Sequence, residues 1–430
     1  MLVIISDLHF TDGTTSNRKG KEDLFNINPR AFKLFLSRIY DIVERRKIKD
    51  VHFVYNGDIF DPLRTHAWFK IDASEHPWAI PVNSAKLGRH TKRIFKKIID
   101  KPCNRESLLW LSGTHEEFPS VWKDPDVVVK RTYIPGNHDR IINQYPDSRK
   151  LVYERLLNLT NEDQRFENIY LDQTYQTIVM HGHEADSFNC EYDNDDMPMY
   201  SETPIGDPMT TMLFANIGKK SQELDIPPAA KKRFLDIDNV RPTLAAIRFV
   251  QDIAKDYKIG NKVQKMVRKI VKEFTDMPFY SDWVHRHDRW NIGYDEADKL
   301  QTALRAINLL GANIPAGILE KLASLLETDV YRKYAYSRLR SPIGVQMRYC
   351  VLGHTHEPVH AAICLDEERG MEKHYLNTGT FRTTFAQTYD REDFFRFQRL
   401  SYVIIYGPRE YSDDQKIPMY ESWAGLRMNN

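Results

Sequence analysis

Short runs of apolar residues recur along the chain, and a turn that carries histidine, aspartate or asparagine closes each of them. Five of these runs span Leu2–Ile5, Val51–Tyr55, Thr132–Ile134, Ile178–Met180 and Tyr349–Leu352. Apolar runs of this length, bounded by Gly or Pro turns, are typical of buried β-strands. Strands without a polar face predict a sheet that other layers cover on both sides.

A helix is predicted between the first two strands. Asn28 can cap its first turn, and Pro29 suits the first helical position. Apolar residues then recur at steps of three and four, which predicts one buried face. They are Phe32, Phe35, Leu36, Ile39 and Val43. Strand, helix and strand in this order predict a βαβ unit, so we expect at least part of the sheet to be parallel.

Two connections are too long to be plain loops. About 80 residues separate Asp58 from Asn137 and about 160 separate His183 from Tyr349, and connections of this length need structure of their own. The second connection predicts four amphipathic helices, the third of which ends at Gly311. Their apolar stripes are Leu244, Ile247, Val250 and Ile253; Val263, Met266, Val267, Ile270 and Phe274; Leu300, Leu304 and Ile307; and Ile318, Leu319, Leu322 and Leu326.

Strand signals resume after the predicted helices, at Tyr375-Leu376 and Tyr402–Tyr406. The helical stretch is therefore nested inside a domain that continues beyond it. We predict an α/β (α+β) chain with one main domain, residues 1–190 and 345–430, and a helical insert or cap, residues 191–344.

Composition and charge exclude several classes of protein. Of 430 residues, 41% are hydrophobic and 28% charged, which excludes collagen-like, coiled-coil and largely disordered chains. Lys+Arg 61 against Asp+Glu 60 leaves a net charge of +1, so no overall field attracts nucleic acid or an anionic membrane. No apolar run approaches the about 20 residues of a transmembrane helix, and no signal peptide is evident. With four widely spaced cysteines, these features predict a cytoplasmic protein.

The residue types that end the strands predict a metal site. Asp7 and His9 are two apart and lie on one side of their strand, and His354 and His356 share this spacing. Asp58 supplies a carboxylate that can bridge two cations; Asn137 and His181 add an oxygen and a nitrogen. A mixed nitrogen and oxygen set without thiolate suits two divalent ions of Mn, Fe or Zn better than Ca or Mg.

These strand-end blocks resemble the calcineurin-like metallophosphoesterase superfamily. The blocks are Asp7-Leu8-His9, Gly57-Asp58, Gly136-Asn137-His138-Asp139, His181-Gly182-His183 and Gly353-His354-Thr355-His356. They cover roughly residues 1–60, 130–190 and 345–406, and neither long insertion. The resemblance implies a double β-sandwich flanked by helices, of the metallo-dependent phosphatase type. It also implies a first metal held by Asp7, His9, Asp58 and His356, and a second held by Asp58, Asn137, His181 and His354.

The resemblance further implies hydrolysis of a phosphomonoester or phosphodiester by a hydroxide that bridges the two metals. His138 is expected to give a proton to the leaving oxygen or to steady the phosphate, with Asp61 as the carboxylate that holds its tautomer. Asp61 and Asp139 are each as suited to cap a following helix as to orient His138. His183 is expected either to contact phosphate or to support His181. Arg382 can meet substrate phosphate, although a surface arginine is the simpler interpretation.

The substrate stays open, because one fold and one metal site serve many activities. Gly57–Asp61 and the helical insert resemble the lipid-A-pathway UDP-diacylglucosamine hydrolases, which typically carry Arg where His138 stands. A nuclease is a further alternative, without a strong nucleic-acid signature in the sequence. Protein phosphatases of the superfamily carry Arg-rich signatures that this chain does not match. A non-catalytic scaffold on the same fold is a minor alternative, because all predicted ligands are present.

Two further stretches are interpreted as structural. The basic residues of Lys92–Lys97 and Lys258–Lys272 alternate with apolar positions, which indicates the solvated faces of amphipathic helices. The stretch from Trp283 to Trp290 mixes aromatic and cationic residues and is predicted to be an exposed connection between helices.

Overall fold

The strands that the sequence predicts are all present in the computed structural model, which describes residues 1–15, 27–241, 245–288, 295–309, 329–390 and 393–428. Within these ranges the chain is a mixed α/β structure whose strands form two sheets. The strands are β1 Leu2–Ile5, β2 Asp50–Asn56, β3 Val128–Ile134, β4 Ile169–Asp172, β5 Thr177–Met180, β6 Val240–Arg241, β7 Tyr349–Leu352, β8 Pro358–Asp366, β9 Met371–Thr378, β10 Phe381–Gln387, β11 Phe394–Tyr406 and β12 Met419–Met428.

The first sheet has the order β3-β2-β1-β11-β10-β6, with β12 paired to β11. Strands β1, β2 and β3 are parallel, with Val3 opposite Phe53 and Phe53 opposite Arg131. The predicted βαβ unit is therefore confirmed. Strand β11 runs antiparallel to β1 and carries the chain back across the sheet.

The second sheet has the order β4-β5-β7-β9-β8. Its three central strands are parallel, with Val179 opposite Val351 and Val351 opposite Leu376. The outer strands β4 and β8 are antiparallel to their neighbours. Each sheet therefore contains three adjacent parallel strands, at one edge of the first sheet and at the centre of the second, and polar turns follow these strands.

The two sheets pack against each other through a shared apolar layer. Alternate residues of β1 serve opposite faces: Leu2 and Ile4 enter the layer between the sheets, whereas Val3 and Ile5 face the helices. Val351 of the second sheet belongs to the same inner layer. This packing explains why the strands are apolar on both faces.

Helices cover the outer face of the first sheet. The predicted helix is confirmed as α1, whose cap Asn28 accepts a hydrogen bond from the Arg30 backbone nitrogen. The helices before the insert are α1 Pro29–Arg46, α2 Ser84–Asp100, α3 Pro102–Ser112, α4 Phe118–Val121, α5 Arg140–Gln144 and α6 Pro146–Val152. Short 3-10 or π turns add Trp68–Lys70, Ala73–Glu75, Tyr153–Leu157 and His183–Ala185.

Residues 191–344 are largely helical where the structure describes them. The helices are α7 Gly206–Pro208, α8 Asn216–Ser221, α9 Pro228–Phe234, α10 Ala245–Asp256, α11 Gly260–Thr275, α12 Pro278–His287, α13 Glu296–Asn308 and α14 Asp329–Arg340. A π-helix, Met209–Ala215, follows α7, and a 3-10 turn, Ile237–Asn239, precedes β6. Strand β6 pairs with β10 of the first sheet, and Ala335 and Leu339 of α14 pack on the second sheet. The segment is thus built into both sheets.

The predicted apolar stripes of α10, α11 and α13 are buried. Leu244, Gly311 and the stripe Ile318, Leu319, Leu322 and Leu326 lie outside the described residues. Lysines of the two basic runs alternate with buried apolar residues on α2 and α11, as expected.

The prediction of an exposed connection from Trp283 to Trp290 is wrong in two respects: residues 283–287 belong to helix α12, and Trp283 is buried, although His285 and Arg286 are exposed as expected. Trp283 is fully buried in α12, because its ring fills the helical core and its Nε1 donates to Glu191 Oε1. Arg289 and Trp290 lie outside the described residues. No helix in the described part of the chain has the length and apolar character needed to cross a membrane.

We expect Phe32→Ala to destabilise the fold by about 3–5 kcal/mol, because a buried aromatic ring is lost and a cavity remains. Phe32 is fully buried in α1, and its ring stacks on Phe381 of β10 at 5.1 Å between centroids. Leu34→Ala, two residues along the same helix, is the matched control because Leu34 is 70% exposed. Urea unfolding measures both free energies; equal losses would contradict this packing.

Candidate metal centre

The parallel strands bring the predicted ligands to one edge of each sheet. Asp7 and His9 follow β1, Asp58 follows β2 and Asn137 follows β3. His181 follows β5, and the two histidines of the Gly353–His356 block follow β7. Backbone bonds join the turns: His9 N donates to Asp58 O at 2.8 Å, and Gly353 N donates to His181 O at 2.8 Å. Because the sheets face each other, all these turns meet in one place.

The first group of donor atoms comes from Asp7, His9 and His356 and is fully buried. His9 Nε2 lies 3.0 Å from His356 Nε2, and His356 Nε2 lies 3.3 Å from Asp7 Oδ1. Asp58 Oδ2 is 3.6 Å from His9 Nε2. Two nitrogens and two carboxylate oxygens therefore point toward a common centre.

The second group comes from Asp58, His181 and His354, with the amide of Asn137 beside them. His181 Nε2 lies 3.2 Å from Asp58 Oδ2, and His354 Nδ1 lies 3.1 Å from Asn137 Oδ1. His354 is more accessible than the other ligand histidines, with 10% of its side chain exposed. This half of the site therefore lies nearer to solvent.

Two of the donor atoms are buried without a hydrogen-bond partner among the residues that the structure describes, as expected of atoms that bind a cation. Asp7 Oδ1 and His181 Nε2 are buried, and neither makes a hydrogen bond within the described residues. Buried polar atoms without partners are costly, and their usual explanation is an ion or water that the site holds. Buried carboxylate and imidazole together also suit a divalent transition ion. The site is thus a candidate metal centre.

In three of the ligand histidines, the ring nitrogen that faces away from the centre makes a hydrogen bond, and the other ring nitrogen therefore faces the centre. His9 Nδ1 donates to Asp61 Oδ2 at 2.8 Å, and His181 Nδ1 donates to Asn56 O at 2.9 Å. His354 Nε2 donates to Asp186 Oδ2 at 3.2 Å. Such partners fix the tautomer of a metal-binding histidine. His356 differs, because its Nδ1 accepts a hydrogen bond from Arg241 Nε at 3.0 Å.

The backbone of the ligand turns is unusual. Five ligand residues have a positive φ, a conformation that costs about 1–3 kcal/mol outside glycine and clusters at functional sites. They are Asp7 (56°), His9 (46°), Asp58 (51°), His354 (67°) and His356 (61°). Gly57 also has a positive φ, and a Cβ there would overlap the His181 ring. The glycine of the Gly57-Asp58 block is therefore required by close packing.

Mutual attraction between carboxylates and histidines governs the electrostatics. Burial alone would raise the pKa of Asp7 and Asp58, but neighbouring histidines, His181 among them, hold both pKa values well below their ordinary range. Burial alone would lower the pKa of His181, yet the attraction of Asp58 raises that pKa to about 10. The carboxylates therefore stabilise a positive charge at this centre, either as a proton on His181 or as a cation bound in its place.

His138 and Asp61 lie together, as predicted. His138 Nδ1 donates to Asp61 Oδ1 at 3.0 Å, while Asp61 Oδ2 accepts from His9. Burial lowers the pKa of His138, but Asp61 and Asp58 outweigh it and the net shift is upward. His138 also forms a third possible donor group with His9 and Asp58. Asp139 stands at the N-cap position of α5, but its side chain makes no capping hydrogen bond there; its carboxylate accepts instead from the backbone nitrogens of residues 59, 60 and 136.

The two predicted substrate residues are both buried. His183 is 2% exposed, and its ring packs against His354 and Tyr200. Arg382 is 2% exposed, so the interpretation as a surface arginine is wrong. Its position on β10, between the sheet and the insert, lets its Nη2 donate to Asn239 Oδ1. Substrate contact by either residue stays a prediction.

The sequence analysis missed Asp186, Asn189 and Arg241. The only signal for the first two was a polar pair three and six residues after His183. Arg241 gave no signal, because its two-residue strand has no hydrophobic pattern and its contact with His356 spans 115 positions.

Comparisons with models of protein families and with curated proteins find no match to this chain. A function for it must therefore be argued from the metal-binding donor atoms and the distances between them. The buried His and Asp groups that could hold a metal are features of the structure itself.

Asp58→Asn is expected to remove most of the bound metal while the chain stays folded. The Asp58 carboxylate lies beside a histidine of each donor group, whereas an amide offers one oxygen and no charge and can still accept from His138 N at 2.9 Å. Metal retained after Mn²⁺ loading and desalting is measured by plasma mass spectrometry. Asp41→Asn, an exposed position on α1, is the control. Wild-type metal content in Asp58→Asn would refute a shared ligand.

Proposed function

We propose that this chain is a metal-dependent phosphoesterase of the calcineurin-like metallophosphoesterase type. The proposal includes the fold: two facing sheets with helices outside are interpreted as the double β-sandwich of that superfamily. One observation carries it above all others. Asp58 Oδ2 lies 3.6 Å from His9 Nε2 and 3.2 Å from His181 Nε2, so one carboxylate serves two groups of donors.

Two divalent ions, Mn, Fe or Zn, are proposed for the two groups. The first would be held by Asp7, His9, His356 and Asp58, and the second by Asp58 and the residues Asn137, His181 and His354. Bound there, such ions neutralise phosphoryl oxygens and lower the pKa of water, which is the chemistry that phosphoester hydrolysis requires. No nucleophilic side chain is needed, so none is assigned.

His138 is proposed as the proton donor to the leaving oxygen. Its Nδ1 hydrogen is held by Asp61 at 3.0 Å, which leaves Nε2 as the nitrogen available to substrate. The same Asp61 holds His9, so one carboxylate orients a proposed ligand and the proposed acid together. The upward shift of the His138 pKa is compatible with a protonated donor near neutral pH.

Buried arginines are proposed to favour an anionic substrate. Burial lowers the pKa of Arg241 and brings the pKa of Arg382 to about 9, which leaves Arg382 charged at neutral pH, and the charge of the nearby Arg64 adds to both shifts. Asp61 and Asp238 offset part of this charge. The positive field lies on the side of the first donor group and complements a phosphate.

Metal-dependent hydrolysis of model esters is the first expected result. After reconstitution with Mn²⁺, the protein is expected to hydrolyse bis-p-nitrophenyl phosphate or p-nitrophenyl phosphate, whereas the metal-free protein is not. Faster diester turnover indicates nucleotide, nucleic-acid or lipid diesters as substrates, and faster monoester turnover indicates phosphatase substrates. A protein that binds no transition metal and hydrolyses neither ester would refute the proposal in favour of a scaffold.

His138→Gln is expected to keep both metals and lose rate by about 10²–10⁴-fold, the usual contribution of a general acid. The loss is expected to be largest for esters with poor leaving groups, since these most need a proton. Metal content and kcat are measured on the same preparation. His285→Gln, an exposed histidine of α12, is the control. A fall in metal content would instead make His138 a ligand.

A further inference from the structure

Four side chains form a closed ring of polar contacts beside the second donor group. Asn137 Nδ2 donates to Asn189 Oδ1 at 3.0 Å, and Asn189 Nδ2 donates to Asp186 Oδ2 at 2.8 Å. His354 Nε2 donates to the same Asp186 oxygen at 3.2 Å. The ring closes where His354 Nδ1 lies 3.1 Å from Asn137 Oδ1. Two of its members are proposed ligands and two are not.

The ring determines which atoms of the two ligands face the centre. Because Asn189 accepts from the Asn137 amide nitrogen, the Asn137 oxygen must point the other way, toward His354. Because Asp186 accepts from His354 Nε2, the neutral ring carries its hydrogen there and keeps a lone pair on Nδ1. A carboxylate behind a histidine also makes the imidazole a stronger ligand.

The backbone holds Asp186 and Asn189 in place for this task. Asp186 Oδ1 accepts from Phe188 N at 2.9 Å, which leaves Oδ2 for the ring. Asn189 N donates to Asp186 O at 2.9 Å, so both residues belong to one tight turn. Gly206, where α7 begins, closes over this turn: a Cβ there would overlap Asn189 Oδ1 and come within 2.7 Å of Phe188 O.

The same turn is anchored to the insert on its other side. The Phe188 ring packs against Trp283 of α12 at 6.1 Å between centroids. Trp283 Nε1 donates to Glu191 Oε1 at 2.7 Å, and Arg286 Nη1 donates to Glu191 Oε2 at 3.0 Å. Residues 186–191 therefore connect two proposed ligands to a helix of the insert.

The ring supports one half of the site only. His9 of the first donor group is held by Asp61, and His356 is contacted by Arg241, so neither depends on Asp186 or Asn189. The shared ligand Asp58 accepts from the His138 backbone nitrogen instead. Loss of the ring would therefore act on one metal and leave the other in place.

We propose that Asp186 and Asn189 are positioning residues that set the affinity of the second metal, and that the insert controls this affinity through residues 186–191. This inference rests on the proposed metal centre and extends it. It makes the second site adjustable through residues 186–191: contacts on α12 and α7 act on Asn137 and His354, whereas the insert meets the first site at a different point, through Arg241 at His356.

Metal titration of the full-length, metal-stripped protein tests the proposal without an activity assay. Mn²⁺ binding is followed by calorimetry and by plasma mass spectrometry after equilibrium dialysis. Wild type is expected to bind two ions. Asp186→Asn and Asn189→Ala are expected to weaken one binding step by about 10–100-fold, the usual effect of losing a ligand's partner, and to leave the other step unchanged. Asp195→Asn, an exposed aspartate in the following segment, is the control.

Gly206→Ala is the second test, because it alters no polar group of the ring. The added methyl group is expected to displace Asn189 and to weaken the same binding step. The melting temperature of Asp186→Asn in excess chelator is expected to match wild type, which separates ligand positioning from misfolding. High Mn²⁺ is expected to restore the second ion in Asp186→Asn.

The possible outcomes separate this inference from the proposed function. If wild type binds fewer than two ions, the two-metal function fails. If wild type binds two ions and the ring variants bind both with wild-type affinity, the positioning role is overturned while the function stands. Equal weakening of both steps would likewise overturn it, because a selective effect on one site is what the ring predicts.

Discussion

A single buried carboxylate, that of Asp58, lies between two groups of nitrogen and oxygen donors. Its Oδ2 is within 3.6 Å of a histidine from each sheet, while its Oδ1 accepts from the His138 backbone. For one side chain to meet both sheets, the turn after β2 must bend into a left-handed conformation, with φ 51° at Asp58. Gly57 and Gly136 are required on either side, because a Cβ at either would overlap His181 or Asp58. The geometry around the centre follows from this constraint.

Charge balance in the buried site explains the residues that surround the donors. Asp61 is shared between His9 and His138, and Arg64 Nε lies 3.2 Å from its Oδ2. Buried charges are tolerated when opposite charges and hydrogen bonds compensate them. Arg241 and Arg382 extend this network toward the insert, so the electrostatics of the site belong to both parts of the chain.

Residues 191–344 contribute to the site on two sides. Strand β6 adds to the edge of the first sheet and brings Arg241 to His356. Helix α12 holds Glu191, at the end of the turn that carries Asp186 and Asn189. The insert is therefore in a position to influence both donor groups, through Arg241 on one side and through a hydrogen-bonded turn on the other. A cap that merely covered the site would lack these contacts.

The sequence by itself determined the central strands, helix α1 and the parallel start of the first sheet, because apolar runs and a capped, periodic helix are local signals. It also placed the residues that follow the strands: short strands followed by Asp-x-His or His-x-His turns deliver those side chains to a sheet edge. Even the pairing of Asp61 with His138 was predicted: the resemblance implied a carboxylate partner for His138, and Asp61 stands three residues after Asp58. The order of the motif blocks along the chain carried this resemblance.

Only the tertiary structure decided which distant residues support those ligands. Asp186 meets His354 across 168 positions and Arg241 meets His356 across 115, and no local pattern encodes either contact. The sequence pattern did not predict the burial of Trp283 and Arg382 either. Side chains with both apolar and polar parts are usually assigned to the surface, and only a neighbouring element that covers them makes them buried. The face-to-face packing of the sheets determines these partners, because it brings turns from both sheets and from the insert into one small volume.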